Sequence, residues 1–338
     1  MRYERLGNSD LEVSRVCLGC MTYGDPAWRP WILGEDAARE HFKRAFELGI
    51  NFFDTADMYS WGGSERVTGK LLRELASRDD YVLASKVFFP VADGSPQGGC
   101  LSRDYILSAC EDSLGRLGVD HIDLYQIHRW DHATPVEETL EALDTLVGDG
   151  KVRYLGASSM AAWQLSKALY TAGEHGWHRF VAMQNHYNLV YREEEREMIP
   201  LCIDQQVGII PWSPLARGLL TGSRTRESRS ATARAQADPF ADRWYSREED
   251  FHVVDALLQV SHERGESPAV VALAWMFSVP GITSPIIGST KVEHIAEATR
   301  ALEIELTAEE IERLEAPYQP NSVRGHEHPT PRNMAPTQ

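Results

Sequence analysis

Three apolar runs in the first half of the chain each end on a residue able to do proton chemistry. Phe52-Phe53 leads into Asp54, Ala84-Ser85 into Lys86, and Gln126-Ile127 into His128, while Tyr59 follows Asp54 in the same loop. A phenol with an ordinary pKa of about 10 is a poor proton donor at neutral pH unless neighbours stabilise its anion. An ammonium beside it would do so, and a carboxylate would hold that ammonium charged and oriented. An imidazole could then hydrogen-bond a substrate oxygen or relay a proton. Each residue alone has a plain alternative: Asp54 could cap a turn, Lys86 could carry surface charge, and His128 could sit satisfied in a core. Placed together on successive strand ends, they favour the chemical reading. Lysine is scarce in this chain and arginine supplies most of the positive charge, which makes a lysine at a strand end informative.

Such a set needs strands whose ends converge. Short β-rich runs occur at 15–18, 51–54, 81–86, 122–128, 153–157, 180–184, 208–212 and 284–287, and most are continuously apolar, as in parallel strands buried on both faces. Helical patterns lie between and after them, at 37–48, 65–74, 103–117, 135–147, 161–172, 193–202, 269–277 and 293–301. Gly49, Gly118 and Gly150 stand as stops, Ser102 and Ser267-Pro268 as starts, and Thr307 with Glu310 as a capping box for an extra C-terminal helix. Eight such units predict a single (β/α)8 TIM barrel over residues 1–320, with its active site at the C-terminal strand ends. No Gly-x-Gly-x-x-Gly follows the first strand, which argues against an open dinucleotide-binding sheet. Two long loops interrupt the rhythm. Residues 25–34 carry Trp28, Pro30 and Trp31. Residues 218–250 carry Arg224, Arg226, Arg229 and Arg234, and read either as a flap over anionic groups or as a solvated loop. The tail 321–338 is expected to be poorly ordered, and its Gly325-His326-Glu327-His328 reads as polar chain rather than a metal site.

The 338 residues include 50 acidic and 34 basic side chains, a net charge of −16 that disfavours nucleic acid as a partner. No apolar run approaches the roughly 20 residues of a membrane span. The first residues lack a signal-peptide core, so the expected location is cytoplasmic. Cys17 and Cys20 form a C-x-x-C, but no second pair accompanies them, and they read as buried thiols.

Beyond the strand ends, several longer stretches stand out. They are Phe53-Asp54-Thr55-Ala56-Asp57-Met58-Tyr59 with Ser64-Glu65 and Gly69, Ile122-Asp123-Leu124-Tyr125-Gln126-Ile127-His128, Gly156-Ala157-Ser158-Ser159, and Met183-Gln184-Asn185. Pro211-Trp212-Ser213-Pro214-Leu215-Ala216-Arg217-Gly218 and Ile286-Ile287-Gly288-Ser289-Thr290-Lys291 follow. In this order they resemble the aldo-keto reductase superfamily over nearly the whole chain. The resemblance is nearest to the branch shared by bacterial aryl-alcohol-type reductases and potassium-channel β subunits. Residues 6–14 are similar to that family's N-terminal β-hairpin.

The resemblance implies a metal-free tetrad: Tyr59 as general acid, Lys86 and Asp54 tuning it, and His128 orienting a carbonyl. It implies NADPH, with NADH possible, extended across the barrel mouth near Gly19, Cys20, Met21 and Asp54. Ser158, Ser159 and Gln184 would hold the carboxamide, and Trp212 would stack on the nicotinamide. Ser213, Pro214, Leu215, Arg217 and Gly218 would line the pyrophosphate. Gly288, Ser289, Thr290, Lys291, His294 and Glu297 would meet the adenosine phosphate. Ser159, His294 and Ala298 depart from the family's usual residues, which bears on carboxamide binding and on NADPH preference. Trp31, Tyr23, Trp61, Phe88 and Trp130 could form an aromatic mouth for an aryl or apolar aldehyde. The expected partner is a small carbonyl compound, with oligomeric state open. Three alternatives remain at this point: a cofactor-sensing binding protein, an aldolase using Lys86 as a Schiff-base amine, and an enzyme acting on a sugar phosphate.

Overall fold

A computed structural model describes residues 1–91, 100–226 and 238–326, apart from the side chains of Pro239 and Asp242. Its strands are β1 (Tyr3–Arg5), β2 (Glu12–Ser14), β3 (Cys17–Gly19), β4 (Phe52–Asp54), β5 (Val82–Val87), β6 (Ile122–Ile127), β7 (Val152–Ser158), β8 (Phe180–Gln184), β9 (Gly208–Ile209) and β10 (Ile286–Gly288). The helices are α1 (Glu35–Glu47), α2 (Gly63–Leu75), α3 (Arg103–Leu117), α4 (Val136–Gly148), α5 (Ala162–His175), α6 (Met198–Asp204), α7 (Pro239–Trp244), α8 (Glu248–Arg264), α9 (Pro268–Ser278), α10 (Glu293–Arg300) and α11 (Ala308–Glu315).

Strands β3 to β9 pair in parallel in chain order, and β10 pairs with β3 on the other side. Bridges Ile209–Ile282 and Trp212–Ile286 join the two ends, with the Ile286 amide donating to the Pro211 carbonyl at 2.8 Å. The sheet is thus the (β/α)8 barrel the strand–helix alternation predicts. Hairpin β1–β2 closes the barrel floor. Leu6 and Val13 share an apolar cluster with Cys17, Phe52, Ala84, Leu124, Ala182 and Ile210, while the larger cluster lies between strands and helices.

Two helical expectations change. The stretch 193–202 divides into a single 3-10 turn (Glu193–Glu195) and α6. Pro200 explains the break: it lacks an amide hydrogen and is tolerated only in a helix's first turn, where α6 places it. The longest helix, α8, begins inside the expected loop 218–250 and continues through residues that the sequence pattern leaves unassigned. Its first turn, Glu248-Glu249-Asp250, is as polar as the loop before it, yet acidic residues favour a helix N-terminus. Arg229 and Arg234 lie outside the described residues. Among the described residues, no helix is long and apolar enough to cross a membrane.

Glycine decides one contact that fixes the wall around the site. A Cβ at Gly69 of α2 would lie 2.0 Å from the Leu117 carbonyl oxygen, so only glycine lets α2 approach the end of α3 this closely. Gly118, at φ +67, then ends α3 in the left-handed region.

Candidate active site

Strand periodicity brings the reactive residues to one face. Phe52, Ala84, Leu124 and Ala182 belong to the barrel's inner cluster, and Phe53, Leu83, Tyr125 and Met183 to the outer one. Alternation by two therefore turns Asp54, Lys86, Gln126, His128 and Gln184 inward, at or near the C-terminal strand ends. Lys86 Nζ donates to Asp54 Oδ2 at 2.6 Å, to the Thr55 carbonyl at 2.8 Å and to the Tyr59 hydroxyl oxygen at 3.4 Å. All three ammonium protons are engaged. Because Tyr59 accepts from Lys86, its own hydroxyl proton is left for another acceptor.

Gln126 Nε2 and Gln184 Nε2 each donate to Asp54 Oδ1 at 3.0 Å, and Gln184 also donates to Gln126 Oε1 at 3.0 Å. The carboxylate is held from both oxygens. Lys86 is fully buried and Asp54 nearly so. Burial pulls the lysine pKa down, but Asp54 and Tyr59 outweigh it, and the net shift is upward. Lys86 is an ammonium at any physiological pH. His128 shifts the other way: burial first, then the Arg129 and Lys86 charges, hold it well below the usual histidine range. That favours the neutral imidazole, which lies edge-on to Tyr59 with ring centres 5.7 Å apart. Its buried Nδ1 has no hydrogen-bond partner among the described residues.

The loop that carries Tyr59 is anchored from behind. Ser64 Oγ donates to the Cys20 carbonyl at 2.7 Å and lies 2.8 Å from Thr55 Oγ1. Glu65 accepts from Ser85 Oγ at 2.5 Å and from Arg116 Nε at 2.6 Å. Ser64 and Glu65 thus position the Tyr59 loop from the outer side of the wall.

Over the tetrad opens a cavity of about 1700 Å³. Gly19, Met21, Asp54, Ser158, Ser159, Gln184, Trp212, Ser213, Pro214, Leu215, Arg217, Gly218, Gly288, Thr290, Lys291, His294 and Glu297 line it, together with Trp31, Phe88 and Trp130. Cys20 and Ser289 do not. The Cys20 side chain packs in the outer core, where burial raises its thiol pKa to about 12. Ser289 Oγ is spent on the turn to Lys291, donating to that residue's carbonyl and accepting from its amide. Two aromatic expectations also fail. Tyr23 is wholly buried against His41 and Phe42, and Trp61 is 49% exposed and not among the cavity-lining residues. Sequence reasoning missed Trp28, Phe89, Arg129 and Trp244, which do line the cavity.

Trp212 is positioned by a stack. Its ring lies 4.2 Å from that of His186, which in turn lies 4.2 Å from Tyr191, and Trp212 Nε1 donates to Ser159 Oγ at 2.9 Å. Ser213, Ala216 and Arg217 have φ of 54°, 47° and 53°, and Gly218 96°. Non-glycine residues in the left-handed region mark a loop held in shape against a local cost, which is typical of ligand sites. Of the expected basic loop, Arg217 pairs with Asp238, Arg226 with Glu248 and Asp255, and Arg224 is buried with Nη1 on the Ala241 carbonyl at 3.2 Å. Only Arg217 of these reaches the cavity. Asn321–Arg324 is tied down by Asn321 to Val190 at 3.1 Å and by the Arg324 amide to Tyr191 at 3.0 Å. Gly325 abuts Trp212.

Known proteins share this arrangement of sequence. The profile of the Aldo/keto reductase family matches residues 15–319. Versiconal hemiacetal acetate reductase of Aspergillus parasiticus is 43% identical, the match covering 96% of this chain and 98% of the relative. The aldo-keto reductase AMT2 of Alternaria alternata is 41% identical over 96% of this chain and 93% of its own length. The aldo-keto reductase dtxS3 of Metarhizium robertsii is 40% identical with the same coverage. With a family profile along nearly its full length, an eight-stranded barrel and relatives covered almost end to end, this chain belongs to the aldo/keto reductase family of oxidoreductases.

Proposed function

We propose that the protein reduces aldehydes or ketones to alcohols with NADPH, using Tyr59 as the proton donor. The observation that carries this reading is the direction of the Lys86–Tyr59 hydrogen bond. The ammonium donates to the phenol oxygen, so the phenolic proton is free for a carbonyl and the charge left behind is met by Lys86. Asp54 fixes Lys86 in that role, and neutral His128 supplies a hydrogen bond to the carbonyl oxygen without competing as an acid.

The cavity's residues fit a phosphorylated dinucleotide. Ser158, Ser159 and the Oε1 of Gln184 offer a hydroxyl-and-carbonyl set suited to a carboxamide, and Trp212 offers an aromatic face. Arg217 and the strained loop around it suit a pyrophosphate, while Lys291 and His294 suit a further phosphate. When bound, the nicotinamide supplies hydride to the carbonyl carbon. Everything else follows from the chain: the aromatic walls exclude water, His128 orients the oxygen, and Tyr59 delivers the proton.

The Schiff-base alternative fares poorly, because it requires a neutral lysine amine and Lys86 is held as a fully bonded ammonium. The decisive test is NADPH oxidation at 340 nm with a panel of aldehydes, for the parent protein and for Tyr59→Phe. Loss of about 10²–10⁴ in kcat with cofactor affinity nearly unchanged is expected for removal of a general acid. A kcat within threefold of the parent would refute the assignment of Tyr59.

A further inference from the structure

The geometry points to Arg129 as a specificity-determining residue that selects carbonyl substrates bearing a carboxylate. This inference rests on the carbonyl-reductase reading and narrows its substrate class. Arg129 directly follows His128 and lines the cavity. Its Nη1 donates to the carbonyl oxygen of His128 at 2.5 Å, and its guanidinium lies 5.6 Å from the centre of the Phe89 ring. The same Phe89 ring packs edge-on to His128 at 5.0 Å. Arg129 is therefore fixed to the residue that orients the carbonyl, on the side of the cavity walled by Phe88, Phe89 and Trp130.

No carboxylate of the described residues forms an ion pair with it, whereas Arg217 of the same cavity has Asp238 and Arg247 has Glu249. Keeping a half-buried guanidinium without a carboxylate has a cost. Burial lowers its pKa to about 10, with only Tyr59 pulling the other way, yet it stays charged at neutral pH. Arg29, Arg243 and Arg324 line the cavity without an ion pair among the described residues as well, and Arg129 differs from them in being hydrogen-bonded to His128. Five N–H donors in a planar fork, with one committed to His128, suit a planar carboxylate gripped from two nitrogens. The flanking rings suit the flat or short body of an aldehyde acid. The competing role for Arg129 is a second cation acting on Tyr59, which would affect every substrate alike.

A matched substrate pair separates these roles. The probes are 4-formylbenzoate and 3-formylbenzoate, each against its methyl ester, which keeps the aldehyde and the ring but removes the charge. The parent protein should favour at least one acid over its ester by tenfold or more in kcat/KM, through KM. In Arg129→Gln that ratio should fall by about tenfold to a hundredfold, as expected for a charge-assisted bidentate contact, and Arg129→Lys should restore part of it. Benzoate binding, followed by tryptophan fluorescence with and without NADP, should weaken by a similar factor in Arg129→Gln. Equal use of acid and ester by the parent overturns the inference, as does a benzoate affinity that Arg129→Gln leaves unchanged. A drop shared equally by acids and esters assigns Arg129 to Tyr59 instead. If no aldehyde is reduced at all, the carbonyl-reductase reading fails, and the benzoate titration still decides whether Arg129 binds carboxylates.

Discussion

Replacing Asp54 by asparagine tests the central network most directly. Three donors converge on this carboxylate: Lys86 on Oδ2, and the side-chain amides of Gln126 and Gln184 on Oδ1. Asparagine offers one acceptor oxygen and turns an NH2 group toward at least one of those donors. The Lys86 ammonium, with no exposed surface, keeps only the Thr55 carbonyl and the Tyr59 oxygen. Removing one partner of a buried ion pair costs about 3–5 kcal/mol, because the other charge stays behind uncompensated. For a chain of this length that amounts to roughly 6 °C in melting temperature. Asp54 is also the leading cause that holds the lysine charged against burial, so Asp54→Asn should lower the Lys86 pKa and reduce kcat by about 10²–10⁴. Lys86→Met alone leaves a buried carboxylate with two amide donors. The double variant Asp54→Asn/Lys86→Met removes both charges, and its stability should exceed the additive expectation by about 1–3 kcal/mol. Urea unfolding of the four proteins, with kcat measured across pH 5–9, supplies every number in the cycle. Strict additivity, or an Asp54→Asn protein within 1 kcal/mol of the parent, would refute the claim that the pair acts as one unit.

Glu194, nearly buried and bonded to Asn185 Nδ2 at 2.9 Å, is pushed up to about 8, chiefly by burial. A folded-state pKa above the unfolded value means that its stability contribution is complete below about pH 4.3 and is lost as pH rises toward 8. Relative to Glu194→Gln, the parent should therefore lose about 3 kcal/mol between pH 5 and pH 7.5 in urea unfolding, at roughly 1.4 kcal/mol per pH unit; a constant difference would refute it. Gly69→Ala forces a Cβ onto the Leu117 carbonyl and should destabilise the fold by about 2–3 kcal/mol, with an unchanged melting temperature as the contrary result. Lys291→Ala should weaken NADPH binding by about tenfold and leave NADH binding nearly unaltered; equal losses for both would place Lys291 away from the extra phosphate.

The barrel and the meeting of Asp54, Tyr59, Lys86 and His128 at its mouth are legible because two physical regularities coincide in the chain. Buried parallel strands read as apolar runs, and the residue ending a run on the inward phase faces the cavity at the barrel mouth. Gln126 obeys the same rule, two positions before His128, but an amide in a strand suggests no chemistry by itself. Its role as an Asp54 donor needs the neighbouring strands in place. Aromatic residues were harder. Tyr23 and Trp31 belong to the same first connection, yet one packs into the outer core and the other lines the cavity, a difference set by loop path rather than residue type. Helix α8 was hidden by its acidic first turn. Arg129 reads as any charged residue just past a strand, since the sequence cannot show that no carboxylate of the described residues pairs with it.

What is left unpaired in the inner ring outlines what the site is built to receive. Asp54 has three donors, Lys86 three acceptors, and Gln126 engages Asp54 through its nitrogen and Gln184 through its oxygen. A network closed in this way can reorganise little, so its dipoles are already set when a ligand arrives. The remaining capacity lies with the hydroxyl proton of Tyr59, Nδ1 of His128, and the forked nitrogens of Arg129. Of these, His128 Nδ1 is fully buried without a partner among the described residues, and a buried polar atom in that state bears on what the cavity accepts. A donor proton and a neutral imidazole suit an oxygen gaining negative charge, as a carbonyl does on reduction. A guanidinium fixed to that same imidazole suits a second, permanent negative charge on the same molecule. Arg129 answers that charge because it is held on His128 near the Tyr59 hydroxyl and, among the described residues, no carboxylate pairs with it.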